Sequence, residues 1–510
     1  MKKIFVLAFL CFMGNKLTYA QHLDRSKFVN DSLGYYINRA LTNWRIPGAA
    51  VCIVKDNKIV LMKAYGIKEL GQPTPVDINS LFMIGSNTKA FTATALCMLQ
   101  AAGKLSLDDK VTQYLPQFKL ENKLAGEQAT IRDLLCHRLG FQTFQGDFTF
   151  YNTNLTRSEV MSKLAIIKAA YPFRSKWGYT NAAFLTAGEI IPKVYGKPWE
   201  TYLKDNIFAP LGMGNTLALT ADLPKSLNTT VPHTLLDGRL TAIPFAQLDG
   251  LAPAGAISSS INDLSKWVLA LLNDGKVGTK QVIPLAAIKA TREAQDIVGS
   301  IHHLDGETNY ELYGLGWFIQ DYADHRLVMH DGGVSGYLSS VTLVPQDHLG
   351  IIVLTNTDQN AFFDALRWEI MDAYFNKPYR NYSDTYLASF KSNAATAQTD
   401  EKRLQDSVAL NHTPALPPAN YTGKYVNGIY GNMVVTQGEG NNLEIRFEHH
   451  TRMYAKLQPL GGNRFFVTFS DPVLGKAVFP FTVENGKVTG VKVKVADFVE
   501  YGAYEFKKNP

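Results

Sequence analysis

Ser86 and Lys89 stand three residues apart, just after Gly85 and at the head of the apolar run Ala90-Phe91-Thr92-Ala93-Thr94-Ala95-Leu96. The run predicts a helix over residues 87–103 that Gly103 stops. Ser86 would sit at its N-terminal edge, and Lys89 one turn on, on the same face. A serine hydroxyl is a poor nucleophile until a neighbouring base takes its proton. A lysine does this only as the neutral amine, the form favoured by burial or nearby positive charge. Backbone N–H groups at a helix start can also stabilise an oxyanion. The stretch therefore reads as an acyl-enzyme nucleophile with its activating partner. The bland alternative, a helix cap followed by a surface lysine, suits an arbitrary Ser-x-x-Lys. Here the spacing occurs once in the chain, and partners lie downstream.

Such a nucleophile needs a proton carrier for the leaving group and donors for the oxyanion. Tyr179-Thr180-Asn181 supplies a phenol and an amide two residues apart. The pattern recurs at Tyr36, Tyr374, Tyr379, Tyr425 and Tyr430. Only the Tyr179 copy lies in a polar and aromatic loop, Phe173 to Gly178, that leads into an apolar helix. A phenolate beside a lysine ammonium would have a lowered pKa and could itself be the base. His330-Asp331-Gly332-Gly333 opens a strand-rich stretch whose glycines would let a substrate backbone approach the strand edge. Gly333 is a candidate oxyanion donor, and His330 a polar contact to substrate or to Tyr179. Asp331 would either repel a substrate carboxylate or point to the other face and pair with an arginine behind the sheet. His348-Leu349-Gly350 has the same bare pattern but falls in a turn between strands.

The surrounding elements are those of a large globular chain. Its 46% hydrophobic and 19% charged content excludes disorder. The formal charge of +6 falls to about +3 without the lysines of residues 1–20, too little to imply nucleic acid. Residues 1–20 read as a signal peptide with cleavage after Ala20, which implies a periplasmic or secreted protein without an integral membrane segment. Cys52, Cys97 and Cys136 then remain, an odd number in apolar runs, expected as buried free thiols. The pairs His302-His303 and His449-His450 lack metal-ligand spacing and read as solvated loop residues, so neither metal nor cofactor is expected. No Gly-x-Ser-x-Gly, His-Glu-x-x-His or P-loop signature is present.

Strands over residues 48–65 and 340–354, with helices between, predict one antiparallel sheet closed by both ends of a 21–378 domain. Residues 379–419 read as a linker with one short helix, on the polar run after Ser392 and on Pro414, Pro417 and Pro418. From Tyr421, short alternating strands predict a small all-β unit over 420–510. The fold class is thus α/β in the α+β sense: an antiparallel sheet with a helical domain, then a barrel-like domain.

Ser-x-x-Lys, Tyr-x-Asn and His-x-Gly in this order resemble the class C β-lactamase-like, penicillin-recognising serine hydrolases. Ile46-Pro47-Gly48, Thr130 to Arg138, Pro253-Ala254-Gly255 and Tyr313 to Trp317 look like further landmarks of that family, and the resemblance covers about residues 25–378. It implies Ser86 as nucleophile, Lys89 as activating partner and Tyr179 as general acid/base. Asn181 would orient a substrate amide, His330 would stand where many members have lysine, and the Gly333 and Ser86 N–H groups would form the oxyanion hole. Asp331 departs from the small residue or threonine usual there, which argues against recognition of a penicillin-type carboxylate. The tail resembles a lipocalin-like barrel found in some exported members. The implied activity is hydrolysis of an amide, peptide or ester in a small-molecule or peptide-like substrate. Acyl transfer to an alcohol or amine is the close alternative, and a catalytically spent binding or sensor protein the remote one. Substrate identity and oligomeric state do not follow.

Overall fold

The computed structural model describes residues 27–304, 306 and 308–509, so the leader over residues 1–20 lies outside it. Eight strands form the main sheet: β1 (Gly48–Lys55), β2 (Lys58–Gly66), β3 (Asp296–His302), β4 (Thr308–Tyr313), β5 (Phe318–Tyr322), β6 (His325–Val334), β7 (Tyr337–Val344) and β8 (Leu349–Thr355). Their order is β2-β1-β8-β7-β6-β5-β4-β3, with antiparallel neighbours throughout. The first long strand pairs with the last, Ala49 opposite Thr355, so both ends of the domain close the sheet as expected.

β1 is apolar at every position from Ala49 to Val54 because both of its faces are covered. Ala50, Cys52 and Val54 pack into the helical layer, whereas Ala49, Val51 and Ile53 pack under the helices α1 (Leu33–Trp44) and α5 (Phe362–Tyr374). On the helical side, α2 (Thr88–Ala101) is buried almost all round, as a helix with no polar face must be. It packs against α3 (Asn181–Gly188), and α4 (Ile261–Leu272) lies against β1 and β8. Ser260 caps α4, its hydroxyl accepting from the Asp263 N–H at 3.2 Å. Cys52, Cys97 and Cys136 are free and buried.

One expectation fails. A 28-residue helix, α6 (Tyr382–Ala409), occupies most of the expected linker. Its first turns dock on α5 through Tyr382, Ser383 and Leu387, the buried residues of the helix, and the Asn381 side chain caps it. Tyr386 and Phe390 are part-buried beside them, and most of the helix beyond is exposed. Alanine, glutamine, lysine and arginine carry it by propensity, together with surface pairs such as Lys402 with Asp406. Helix without an apolar stripe gives no periodic signal, so the composition alone suggested a linker.

Beyond α6, eight antiparallel strands from Gly423–Asn427 to Tyr504–Lys508 follow one another around a closed barrel, the last pairing with the first at Tyr425 and Lys508. Alternating residues such as Leu443, Ile445 and Phe447 fill its interior. Phe148 and Tyr151 of the sheet-and-helix domain join the same core, so the barrel is docked rather than tethered. His450 is buried at that junction, its ring stacked on Phe148 at 4.0 Å, which corrects the reading of a solvated loop histidine.

Candidate active site

The site forms where the turn before α2 meets β6. Gly85 lies in the left-handed region, φ 53°, and a Cβ there would come within 2.9 Å of the Gly333 backbone. Gly332 is equally constrained, because a Cβ would meet the Ile84 carbonyl at 1.9 Å. These two close approaches set Ser86, in a single 3₁₀ turn Gly85–Asn87, beside the end of β6. The side-chain position of Gly332 is therefore filled by the chain itself, while the residue still borders the cavity over Ser86. Gly333 does face outward. The turn Ser335-Gly336 is closed by Val334 opposite Tyr337, which makes Gly333 with Leu338 the non-hydrogen-bonded pair, so the Gly333 N–H points away from β7.

Lys89, the second residue of α2, is wholly buried. Its Nζ lies 2.7 Å from Asn181 Oδ1, 2.8 Å from the Ala254 carbonyl oxygen and 3.0 Å from Ser86 Oγ. The first two are acceptors only, so they consume two N–H bonds. In the neutral amine the third position is a lone pair, and it faces the one neighbour that carries a proton. Burial lowers the Lys89 amine to about 7, with the Asp147 carboxyl acting in the opposite direction.

Tyr179 is buried beneath aromatic neighbours. The Lys89 Nζ sits 4.6 Å from its ring centroid, and His137 stacks against it at 4.4 Å. Burial pushes the phenol above its usual value, and the Ser86 hydroxyl, hydrogen-bonded to it, offsets only part of this. The phenolate base is thus corrected: desolvation disfavours both charges, lowering the amine toward neutrality and keeping the phenol protonated. His137 positions the motif, its Nδ1 accepting from the Thr180 N–H at 3.0 Å. At the start of α3, Asn181 accepts from Lys89 and donates to Asp147 Oδ2 at 2.6 Å, which leaves one amide N–H for a ligand.

His330 and Asp331 separate as strand geometry requires. Val328 and His330 face the helical layer, while Leu327 and Asp331 face α5. There Arg367 Nη1 donates to Asp331 at 2.9 Å and to Ser340, the residue opposite Asp331, at 3.3 Å. Of the two readings of Asp331, the carboxylate takes the arginine behind the sheet, sharing Arg367 with Asp364, although the residue also borders the cavity over Ser86. His330 spends both ring nitrogens internally: Nδ1 donates to the Asp331 carbonyl at 2.6 Å, and Nε2 accepts from Tyr313 at 3.3 Å. Burial and the nearby Lys89 lower it to about 3. It is a neutral wall of the site, not the polar hand expected for substrate or Tyr179.

A cavity of about 600 Å³ opens over Ser86, with Tyr179, Asn181, His330 and Gly333 in its walls. Much of the rest is aromatic: Phe144, Phe150, Tyr151, Trp177 and Phe318 from the sheet-and-helix domain, Phe498 and Tyr501 from the barrel. Sequence reasoning missed Asp147 and these barrel residues. Nothing in Gly146-Asp147-Phe148 marks a buried acid, and Phe498 reaches Gly333 only through the docking of the two domains.

Comparison with known proteins is consistent with this geometry. Residues 36–375 match the family model described as Beta-lactamase, and residues 409–508 match a domain of unknown function, DUF3471. An unguisins hydrolase of Aspergillus campestris is 27% identical over 80% of this chain and 78% of its own length. Among solved structures, the octameric penicillin-binding protein homologue from Pyrococcus abyssi superposes with a TM-score of 0.57 at 21% identity, covering 93% of this chain and 99% of that one. A D-stereospecific amidohydrolase from Streptomyces gives 0.52 at 21% identity, over 64% of this chain and 94% of that one.

Proposed function

Because this chain belongs to the Beta-lactamase family, whose members include serine hydrolases, we propose that it opens an amide, peptide or ester bond through an acyl-enzyme on Ser86. The observation that carries the proposal is the coordination of Lys89: two fixed acceptors and one hydroxyl around a buried amine. Lys89 takes the Ser86 proton as the oxygen attacks the carbonyl carbon. The Ser86 and Gly333 N–H groups receive the oxyanion. Tyr179 gives its proton to the leaving group and is reprotonated by the Lys89 ammonium, which returns that amine to its neutral form. A water then repeats the sequence in reverse and frees the acid. The spare Asn181 N–H orients the substrate carbonyl chain.

His330 is neutral and Asp331 is ion-paired away, so no cation on this wall receives a substrate carboxylate. The aromatic cavity favours a neutral, apolar or aromatic acyl group. Acyl transfer to an alcohol or amine would use the same residues, and the apolar roof from the barrel, which restricts water, is the observation in its favour. We also read residues 1–20 as an export signal, residues 21–378 as the catalytic domain and 420–510 as a lipocalin-like barrel, the last on its eight up-and-down strands.

The test is labelling with a fluorophosphonate followed by mass spectrometry, then a screen of neutral aromatic esters and amides against their carboxylate-bearing analogues, with and without an amine acceptor. The proposal requires the label on Ser86 and turnover of the neutral set. An unlabelled Ser86 would point instead to a spent site.

A further inference from the structure

The barrel reaches the catalytic residues through one carboxylate. Glu500 lies in the turn between the barrel strands Lys487–Val493 and Tyr504–Lys508 and is 1% exposed. It accepts from the Gly146 N–H at 2.6 Å and the Phe148 N–H at 3.1 Å, both in the catalytic domain. From its own domain it accepts from the Tyr430 hydroxyl at 2.5 Å and from the Tyr504 hydroxyl. Four donors on two oxygens match the capacity of an ionised carboxylate, and they oppose the burial that raises it above its usual value.

The two backbone amides that Glu500 holds flank Asp147. That residue projects the other way, to Asn181 Nδ2 at 2.6 Å, and Asn181 in turn accepts from Lys89. Asp147 is buried with its second oxygen unpartnered in the structure. A chain of contacts thus runs from barrel to base: Glu500, the Gly146–Phe148 backbone, Asp147, Asn181, Lys89. We propose that Glu500 is a positioning residue for the Ser86–Lys89 site, fixing the Gly146–Phe148 segment that sets Asp147 against Asn181.

Charge adds a second consequence. Burial raises Asp147 well above the usual carboxylate range, the Asn181 amide and the Lys89 amine oppose this, and the nearby Glu500 charge adds to it, so the protonated form is favoured. In its protonated form Asp147 does not stabilise a Lys89 ammonium, so the amine keeps its lowered value. The other titratable groups facing this cluster are Tyr179, His137 and His330 from the catalytic side, and Tyr430 and Tyr504 from the barrel. Burial holds each of them in its neutral form. Asp147 is left as the group whose ionisation Glu500 controls.

This inference rests on the proposed serine chemistry, and one assay separates the two. The rate of Ser86 labelling by a fluorophosphonate is followed against pH for the full chain, E500Q, E500D and K476M. Lys476 bridges the barrel to Asp237 and Glu401 away from the cavity, so K476M loosens docking without touching the loop. E500Q should label about tenfold more slowly at neutral pH, with its half-maximal pH moved upward by about half a unit to one unit, because Asp147 can now ionise. E500D keeps the charge at a shorter reach. It should slow labelling without moving the limb, and it stands in if E500Q does not fold. K476M should keep the wild-type profile. A folded E500Q with the wild-type rate and limb overturns the proposal, as does the same loss in K476M. An unlabelled wild type removes the serine chemistry and, with it, this role for Glu500.

Discussion

On the proposed chemistry, the Lys89 amine controls how the acylation rate responds to pH. With its value lowered to about 7 by burial, roughly half of the enzyme carries a free base at neutral pH. At the ordinary lysine value the share would be about one molecule in several thousand, too few for an efficient base. The sign follows from the amine: protonation removes the base, so the rate falls as pH drops through the folded value. Between about pH 8 and pH 5 the neutral fraction changes by about 90-fold, and above pH 8 it barely changes. Tyr179 is raised by burial and stays protonated across this range, so it adds no second limb. The assay is the single-turnover rate of fluorophosphonate labelling from about pH 5 to 9, with S86A subtracting background. A slope of one decade per pH unit below 7 and a plateau above 8 are expected. K89R, which keeps a cation but has no accessible neutral form, should lose about 10³-fold or more across the whole range. A rate that climbs without a plateau to pH 9, or a K89R enzyme near wild-type activity, would refute the neutral-amine base.

Four further outcomes can be checked. Ser86→Ala should lose about 10⁴-fold or more in turnover with an unchanged melting temperature, since one part-exposed hydroxyl adds little stability. Lys89→Ala and Tyr179→Phe should be strongly non-additive in a double-mutant cycle, as members of one proton path; multiplicative losses would mean independent roles. Asp331→Asn removes one ionic partner of buried Arg367 and should cost about 1–2 kcal/mol in denaturant unfolding, while the preference between a carboxylate ligand and its neutral ester stays as in wild type. A chain ending at Pro378 loses the docked start of α6, including buried Tyr382 and Leu387, and should be about 3–5 kcal/mol less stable than one ending at Ala409. Equal melting curves for the two would show that α6 is peripheral.

Local chemistry and period were legible from residue order. Ser86, Lys89, Tyr179 and Asn181 could be picked out because helix spacing and a loop-to-helix transition are short-range patterns. The two-faced burial of β1 and the alternation along the barrel strands were likewise written as runs and alternations of apolar residues. The opposed directions of His330 and Asp331 followed from strand period alone, but the choice between substrate and arginine for Asp331 did not. That depended on Arg367, 36 residues further on, facing the same side of the sheet. Protonation states were beyond the sequence for the same reason. A lysine beside a tyrosine suggests an ammonium and a phenolate, and only the depth of burial, common to both, shows that desolvation outweighs their attraction. The α6 helix escaped notice because an exposed helix needs no apolar stripe. Asp147 and Glu500, more than 350 residues apart, were brought together by docking of the barrel on the catalytic domain. Residue types and spacing determined which groups could react. Which of them are neutral, which are neutralised, and what encloses them was decided by contacts between distant segments, because desolvation and ion pairing depend on three-dimensional neighbours.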